Sequence, residues 1–233
     1  MSTSASPYLS YEITSVSLAP FFEEKGVVAR EAPAKDQLLV ATTINRACQE
    51  HGFVHVTNFG MSKDISKKVF AASKELFDNP NKHNDYVPSS PSTNTEFSAF
   101  RNESLNKNRP PDLKEAFNTR FPPAWKNPSI PKTPQDFRDV VDDRTQIMKT
   151  TAIRYGLICA LALDLPIDTF TKTLNTFNTC TSRFLRYPPC DDFMEAANNG
   201  ETQTASAKVQ LAGVRVGEHT DFGAHTFLLL GGK

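Results

Sequence analysis

Apolar side chains recur at steps of three and four residues in three segments, and this spacing predicts three amphipathic helices. The residues expected to cap their starts are Asp36, Ser62 and Thr133, and the residues expected to end them are Gly52, Pro80 and Pro166. The third segment carries Pro134 at its first helical position and predicts a helix of about thirty residues, roughly 45 Å long. A shorter helix is expected from Asp168 to about Phe177.

Four other segments are predicted to be strands. Residues 53–59 are rich in β-forming side chains and lie between two glycines. Residues 182–187 alternate in polarity and are followed by two prolines, which stop a strand. The segments 209–216 and 224–230 also alternate. Helices dominate the first part of the chain and an antiparallel β region the last, so the pattern indicates an α+β protein.

The segment between the second and third helices is predicted to lack regular structure. Residues 79–132 are rich in proline, and loops of this length are usually functional or disordered. The segment also carries several aromatic residues, namely Phe97, Phe100, Phe117, Phe121 and Trp125. These side chains are expected to cover the core, with lining of a substrate pocket as the alternative.

Composition excludes several classes of protein. The 233 residues include 26 Lys and Arg and 26 Asp and Glu, so the net charge is zero and a nucleic-acid partner is disfavoured. The four cysteines form no C-x-x-C pair and are expected to be reduced thiols. No segment reaches the ~20 apolar residues of a membrane span, and no secretory signal begins the sequence. We therefore expect a cytoplasmic protein without a membrane partner.

The sharpest local motif is His219-Thr-Asp221, between glycines at 217 and 223. In an extended strand, residues two apart project from the same face, so an imidazole and a carboxylate can converge on one metal ion. Nitrogen with a hard oxygen suits Fe(II), Mn or Zn. The alternative is a hydrogen-bonded surface histidine near a turn aspartate, because this triplet is common.

Five stretches resemble, in the same order, the 2-oxoglutarate- and Fe(II)-dependent dioxygenases of the isopenicillin N synthase-like superfamily. They are Ala47 to Gly60 with its Gly52-Phe53 pair, Phe77-Asp-Asn-Pro80, Asp112-Leu-Lys-Glu115, Leu185-Arg-Tyr187-Pro-Pro189, and Arg215 to Leu229 around the His-x-Asp motif. The resemblance covers most of residues 36–230. It implies a double-stranded β-helix, or jelly roll, with helices packed outside it and an N-terminal α/β region.

The resemblance also implies a division of the chain. The expected parts are an N-terminal arm (1–35), an N-terminal non-haem dioxygenase-like region (36–132), a helical support (133–178) and the first part of the jelly roll (179–233), which is incomplete in this sequence.

The resemblance further implies specific roles for three residues. His219 and Asp221 match two of the three protein ligands of a 2-His-1-carboxylate iron site, and Tyr187 matches a tyrosine that hydrogen bonds to the co-substrate 2-oxoglutarate. The implied reaction uses O2 and 2-oxoglutarate to oxidise a small organic molecule, with release of succinate and CO2. Leu185 departs from the family, which often has Asn there, and Phe59 stands where the family commonly has His.

A further departure concerns the third ligand. In the family a second histidine and a 2-oxoglutarate-binding arginine lie far beyond the aspartate, whereas this sequence ends at Lys233. His225 is weighed as a substitute ligand, although the family usually has an apolar residue there. The alternative function is therefore a truncated or degenerate, non-catalytic dioxygenase-like protein that acts as a binding or interaction module, and whether the chain is an enzyme stays uncertain.

The remaining polar residues have ordinary expected roles. The histidines outside the motif, His51, His55 and His83, are expected to lie at the surface or in loop packing. Arg183 and Arg186 are expected to form partly buried salt bridges, with contact to an anionic co-substrate as the alternative. Cys190 is expected to be an inert thiol.

Overall fold

The fold is α+β, as predicted, in a computed structural model that describes residues 12–22, 33–89, 96–104, 111–120, 134–174, 177, 180–189, 215–216, 219–220 and 223–231. The helices are α1 (Lys35–His51), α2 (Lys63–Asp78), α3 (Lys82–Asp85), α4 (Gln135–Ala162) and α5 (Thr171–Leu174), with a 3-10 turn at Ala19–Phe21. The strands are β1 (Ser15–Ser17), β2 (His55–Thr57), β3 (Glu96–Ser98), β4 (Glu115–Arg120) and β5 (Thr181–Arg186).

The chain packs as two compact units, each described here by itself. The first comprises Met1–Ser66 and Asp143–Phe177, and the second comprises Lys67–Asp142 and Asn178–Lys233. The helices α2 and α4 each contribute residues to both units. The four parts expected from the resemblance follow sequence motifs, whereas these two units follow contacts within the structure. The four-part division stays a prediction.

The first unit contains α1 and a two-stranded parallel sheet. β1 pairs with β2, with Ser15 opposite His55. The side chains buried on α1 are Gln37, Val40, Ala41, Ile44 and Ala47, which recur at helical spacing on one face. Cys48 was expected on the apolar face with Val40, Ile44 and Ala47, but it is exposed. Leu18 and Phe21 are fully buried beside this helix-and-sheet pair.

The second unit contains a three-stranded antiparallel sheet in the order β3-β4-β5. Phe97, Phe117 and Phe184 occupy one register position across it and therefore share a face. Phe137 of α4 covers this face, with its ring 5.3 Å from that of Phe117 and 5.1 Å from that of Phe184. Tyr86 packs edge-on against Phe97 and Phe117. For Phe97 and Phe117, covering of the core is confirmed as their role.

The start of α1 differs from the prediction. Its N-cap is Ala34 rather than Asp36. The Gln37 side chain accepts a hydrogen bond from the Ala34 N–H at 3.2 Å, and the Gln37 N–H donates to Asp36 Oδ1 at 2.9 Å. Asp36 lies in the first turn, where its negative charge favours the helix dipole.

The other helix ends follow the sequence. Gly52 ends α1 in the left-handed conformation, with φ of 72°. Ser62 precedes α2, and its Oγ accepts a hydrogen bond from the Ile65 N–H at 3.2 Å. α4 begins directly after Pro134, while its predicted cap Thr133 lies outside the described residues. Of the helix predicted from Asp168 to about Phe177, the described residues contain the single turn α5.

Two predictions about secondary structure are wrong. Residues 79–132 do contain regular structure, because α3, β3 and β4 lie within them. Conversely, Ala224–Leu230 is not a strand. A strand requires a hydrogen-bonded neighbour, and none of the described residues pairs with this segment. The expected strand at 209–216 falls almost entirely outside the described residues.

A helix that spans a bilayer must be both long and apolar. None of the described helices combines the length and the apolar character that a membrane span needs. Even α4, with 28 residues, carries charged side chains along its length.

Candidate metal and co-substrate site

The strand β5 leads into the predicted co-substrate residue. Its burial alternates, with Ser182 and Phe184 buried and Arg183 and Leu185 exposed. Phe184 packs onto the aromatic face of the sheet, so the opposite face presents Arg183 and Leu185. Leu185 is 40% exposed, which leaves apolar surface on that face.

The end of β5 is anchored by a network of charges beside Tyr187. Tyr187 follows the strand directly and is half-buried. The preceding Arg186 places Nη1 2.8 Å from Asp78 Oδ1 and 3.5 Å from Glu115 Oε1. The other Glu115 oxygen, Oε2, lies 2.7 Å from Lys82 Nζ. Two cations therefore neutralise the carboxylate of Glu115, which is only 4% exposed.

The outer part of this network lowers the pKa of one carboxyl group. Asp78 ends α2 and accepts a hydrogen bond from Lys74, one helical turn earlier. That hydrogen bond is the main cause that lowers the pKa of Asp78, with the charge of Arg186 as a further one. Asp78 is solvent-exposed, so solvent and salt screen these contacts.

A second network lies on the opposite face of the sheet. Arg183 donates from Nε to Asn118 Oδ1 at 3.0 Å and from Nη2 to Glu103 Oε2 at 2.5 Å. Lys114 Nζ lies 3.4 Å from Glu103 Oε2 and 2.7 Å from Asp112 Oδ2. Asn118 is fully buried and stands directly opposite Arg183 in the register.

These contacts decide between the two roles that the sequence left open for Arg183 and Arg186, which were salt bridges within the protein or contact with an anionic co-substrate. Arg183 and Arg186 both form ion pairs that are partly buried, which confirms the structural role expected for them. Their guanidinium groups are occupied by carboxylates of the chain itself. Sequence reasoning missed the partners, above all Glu103, Glu115 and Asn118. The signal in the sequence is the charged pair Lys114-Glu115 directly before Ala116-Phe117, because charged residues beside buried apolar ones need partners of opposite charge.

The predicted metal ligands are only partly covered by the structure. His219 is exposed to solvent, and Asp221 lies outside the described residues. Within the described ranges no group of three or more His, Cys, Asp and Glu side chains is placed to hold a metal ion. Ligation by His219 and Asp221, and co-substrate binding by Tyr187, stay predictions.

The other histidines occupy ordinary positions. His55 Nδ1 lies 3.1 Å from Ser15 Oγ, and His51 Nε2 lies 4.0 Å from a Glu50 oxygen at the end of α1. The His83 ring stands edge-on to Phe97 at 5.5 Å. The expected surface and packing roles are confirmed for these three.

His225 is a separate case. Its side chain is exposed, although partial desolvation of the ring lowers its pKa and favours the neutral imidazole. A neutral imidazole is the form that binds a metal, but a role for His225 as a ligand stays a prediction.

The donor chemistry of His219 and Asp221 fits ferrous iron. One neutral nitrogen and one hard carboxylate oxygen are two members of the 2-His-1-carboxylate set, which leaves open positions for other ligands. His219 belongs to the solvent-exposed part of the described chain.

The chain is similar in sequence to a known protein family and to known proteins. Residues 26–139 match the family described as "non-haem dioxygenase in morphine synthesis N-terminal". A "2-oxoglutarate-Fe(II) type oxidoreductase hxnY" of Emericella nidulans is 24% identical to it, over 98% of this chain and 62% of that protein. The clavatol oxidase claD of Penicillium crustosum is 26% identical, over 94% of this chain and 67% of that protein. The chain is a homologue of the 2-oxoglutarate- and Fe(II)-dependent dioxygenases.

The folds agree with this assignment. A full-length Neurospora crassa protein, solved in complex with alpha-KG, superposes with a TM-score of 0.65 over 91% of this chain and 61% of that chain, at 21% sequence identity. JOX2 in complex with 2OG, Fe and JA superposes with a TM-score of 0.58 over 76% of this chain and 48% of that chain, at 19% identity. The dioxygenase homologue therefore shares its α+β fold with two proteins that were solved in complex with alpha-KG or 2OG.

The match covers most of this chain but only part of its relatives. A homoarginine-6-hydroxylase of Oryza sativa subsp. japonica is 23% identical over 83% of this chain and 58% of that protein. The dioxygenase homologue thus spans 58% to 67% of the lengths of these curated relatives.

Proposed function

We propose that this chain belongs to an enzyme that uses 2-oxoglutarate, Fe(II) and O2 to oxidise a small organic molecule, releasing succinate and CO2. The observation that carries the proposal is the alignment with the Emericella nidulans oxidoreductase over 98% of the chain. The 2% outside that alignment is too short to reach His219 or Asp221 from either end, so the aligned region includes both.

We assign His219 and Asp221 as iron ligands. Their spacing of two residues lets both side chains approach one ion from the same face of an extended segment. Bound iron would supply the activation of O2 that is coupled to oxidative decarboxylation of 2-oxoglutarate. The imidazole must be neutral and the carboxyl ionised to bind the ion.

Tyr187 is assigned to bind the co-substrate. Its phenol can donate a hydrogen bond to a carboxylate oxygen of 2-oxoglutarate. Continuing the alternation of β5 places it on the face of Arg183 and Leu185, away from the aromatic core. The contacts of Arg186 with Asp78 and Glu115 fix the backbone at the preceding residue, which limits how far the phenol can move.

The first experiment measures metal binding alone, without the oxidation reaction. Binding of Mn(II), a stand-in for Fe(II), is measured by electron paramagnetic resonance for the wild type and for His219→Ala and Asp221→Ala. Each substitution removes one ligand and should weaken Mn(II) binding by at least about tenfold. His51→Ala is the matched control, because its exposed ring lies at a helix end. Equal binding by all four proteins contradicts the assignment.

The second experiment measures succinate formed from 2-oxoglutarate with Fe(II) and O2. The wild type should form succinate above the background of Asp221→Ala. Mn(II) binding that depends on His219 and Asp221, without any succinate, would instead favour the alternative of a non-catalytic binding module.

A further inference from the structure

Glu103 carries one carboxylate oxygen that is satisfied and one that is not. Its Oε2 accepts a hydrogen bond from Arg183 Nη2 at 2.5 Å and lies 3.4 Å from Lys114 Nζ. Its Oε1 is buried and has no hydrogen-bond partner. Burial of an acceptor without a donor is unfavourable, so this oxygen favours a ligand that brings an N–H or O–H group.

Arg183 holds unused donors beside this carboxylate. Its guanidinium group is fixed from two sides, because Nε donates to Asn118 Oδ1 at 3.0 Å and Nη2 donates to Glu103 Oε2. Nη1 bonds to none of the residues that the structure describes. Nη1 and Nη2 are attached to one carbon atom of a rigid plane, so the donors of Nη1 are held close to Glu103. The Arg183 side chain is 36% exposed and that of Glu103 is 20% exposed, so this Arg183–Glu103 pair is partly open to solvent.

The Arg183–Glu103 pair lies on the sheet face to which the co-substrate residue is assigned. Arg183, Leu185 and Tyr187 occupy alternate positions of β5 and its continuation, so they share one face. Leu185 stands between the other two, about 7 Å from each along the strand. Its side chain is 40% exposed, and the residue opposite it on β4 is the small Ala116. A ligand held by the pair therefore has apolar surface within reach, in the direction of Tyr187.

The charges around the pair favour a neutral ligand. Lys114 Nζ also lies 2.7 Å from Asp112 Oδ2, so the connected group contains two carboxylates and two cations and has no net charge. A carboxylate ligand would fit the donors of Arg183 but would be repelled by the orphaned oxygen of Glu103, and an ammonium ligand would be repelled by the guanidinium group. An uncharged amide offers a carbonyl acceptor and an N–H donor from neighbouring atoms. In a lactam or a cyclic imide the ring holds these two groups on the same side, so both partners can be satisfied at once.

We propose that the substrate of this enzyme is a neutral lactam or cyclic imide. Its carbonyl oxygen accepts a hydrogen bond from Arg183 Nη1, its N–H donates to Glu103 Oε1, and its ring rests on Leu185. This inference rests on the function proposed above, because it treats the face that carries Tyr187 as part of the substrate site. The contacts of the ring need no iron, so binding can be measured apart from that function.

2-Pyrrolidinone is the probe that tests this site, because it is a small lactam. It is compared with cyclopentanone, which has the same ring size and a carbonyl without the N–H, and with pyrrolidine, which has a charged nitrogen and no carbonyl. Binding to the metal-free protein is measured by saturation-transfer NMR and titration calorimetry. 2-Pyrrolidinone should bind at least about fivefold more tightly than either. Binding of 2-pyrrolidinone that is no tighter than that of cyclopentanone, or no binding at all, overturns the site.

Substitutions locate the binding. Glu103→Gln should abolish the preference for 2-pyrrolidinone over cyclopentanone, because glutamine keeps an oxygen for Arg183 but presents an NH2 group in place of Oε1. Arg183→Lys should weaken binding at least about fivefold, since lysine keeps the charge but loses the planar set of donors. Glu75→Gln and Arg46→Lys make the same changes at exposed helix positions and should bind like the wild type. Thermal unfolding checks each variant, and Arg183→Lys decides the question if Glu103→Gln does not fold. Unchanged 2-pyrrolidinone binding in the folded variants overturns the site.

Succinate formation separates this inference from the function on which it rests. With Fe(II), O2 and 2-oxoglutarate, 2-pyrrolidinone should raise the rate of succinate formation by the wild type above the rate without it, and cyclopentanone should not. Succinate formed at the same rate with and without 2-pyrrolidinone overturns the substrate class and leaves the proposed function standing. Binding of 2-pyrrolidinone without succinate under any condition contradicts the proposed function, and with it the role of the lactam as a substrate.

Discussion

Arg186 and Glu115 stand opposite each other in the β4–β5 register, and their side chains meet, with Nη1 3.5 Å from Oε1. Lys82 reaches the other oxygen of the same buried carboxylate at 2.7 Å. The buried carboxylate of Glu115 on β4 thus links this strand to the end of β5 and to the short helix α3. This arrangement lies directly before Tyr187, so the ion pairs that stabilise the sheet also fix the position of the proposed co-substrate residue.

Glu115→Gln should destabilise the protein by roughly 2–4 kcal/mol, because it removes the carboxylate that pairs with Lys82 and leaves Arg186 with Asp78 alone. Urea unfolding at neutral pH measures the change. Glu75→Gln on the exposed surface of α2 is the control and should change the free energy of unfolding by less than about 0.5 kcal/mol. Equal effects of the two substitutions would show that the network contributes nothing.

Thr151→Val should cost about 1 kcal/mol or somewhat more. The Thr151 Oγ is fully buried and donates to the Phe59 carbonyl oxygen at 3.1 Å and to the Ile147 carbonyl oxygen at 2.9 Å. Valine has the same shape but leaves the Phe59 carbonyl without this donor. Thr150→Val removes only an exposed bond to the preceding helical turn, so it should be nearly neutral. Thermal or urea unfolding compares the two neighbours, and a loss of the same size at both sites contradicts the prediction.

Glu96→Gln should change the pH dependence of stability. Burial raises the pKa of Glu96, so the folded state binds its proton more tightly than the unfolded state does. This contribution is fully present below the ordinary pKa of a glutamate and is lost as the pH rises through the raised pKa of the folded state. The variant should therefore gain stability relative to the wild type as the pH rises.

Urea unfolding from about pH 4 to about pH 8 measures this difference. The free energies of the wild type and of Glu96→Gln should diverge steadily with pH. Parallel curves over the whole range would show that Glu96 titrates in the folded protein as it does in the unfolded chain.

The cysteines of the first unit should differ in reactivity. Burial, and secondarily the neighbouring Cys48, raises the pKa of Cys159 to about 11, so almost no thiolate is present near neutral pH. Cys48 is exposed on α1. A thiol-specific reagent should label Cys48 rapidly in the native protein and Cys159 only after unfolding.

Peptide mass spectrometry measures the labelling of each cysteine. Cys48→Ser should remove the rapid labelling of the α1 peptide, and Cys159→Ser should leave it unchanged. Rapid native labelling of Cys159 would show that the α4 thiol is reached by solvent.

The sequence anticipated the elements whose hydrogen bonds are local. The bonds of α1, α2 and α4 join residues four apart, so apolar spacing and end signals such as Ser62 and Gly52 identify these helices without any knowledge of the rest of the fold. β5 was also anticipated, from its β-forming residues and the two prolines that follow it, and its burial alternates because one of its faces is buried. The order of motifs that leads to the His-x-Asp triplet indicated the dioxygenase relationship, because motifs and their order can be read without knowledge of the fold.

Tertiary structure decided what depends on distant partners. β4 is buried on both faces from Glu115 to Thr119, so it shows no alternation, and β3 is three residues long and exists through its pairing with β4. The segment 224–230 alternates, yet it forms no strand, because a pattern cannot supply the neighbouring backbone. The contacts of Glu115 with Lys82 and Arg186 join residues far apart in sequence. Folding alone brings such charges together, since no local rule of spacing links them.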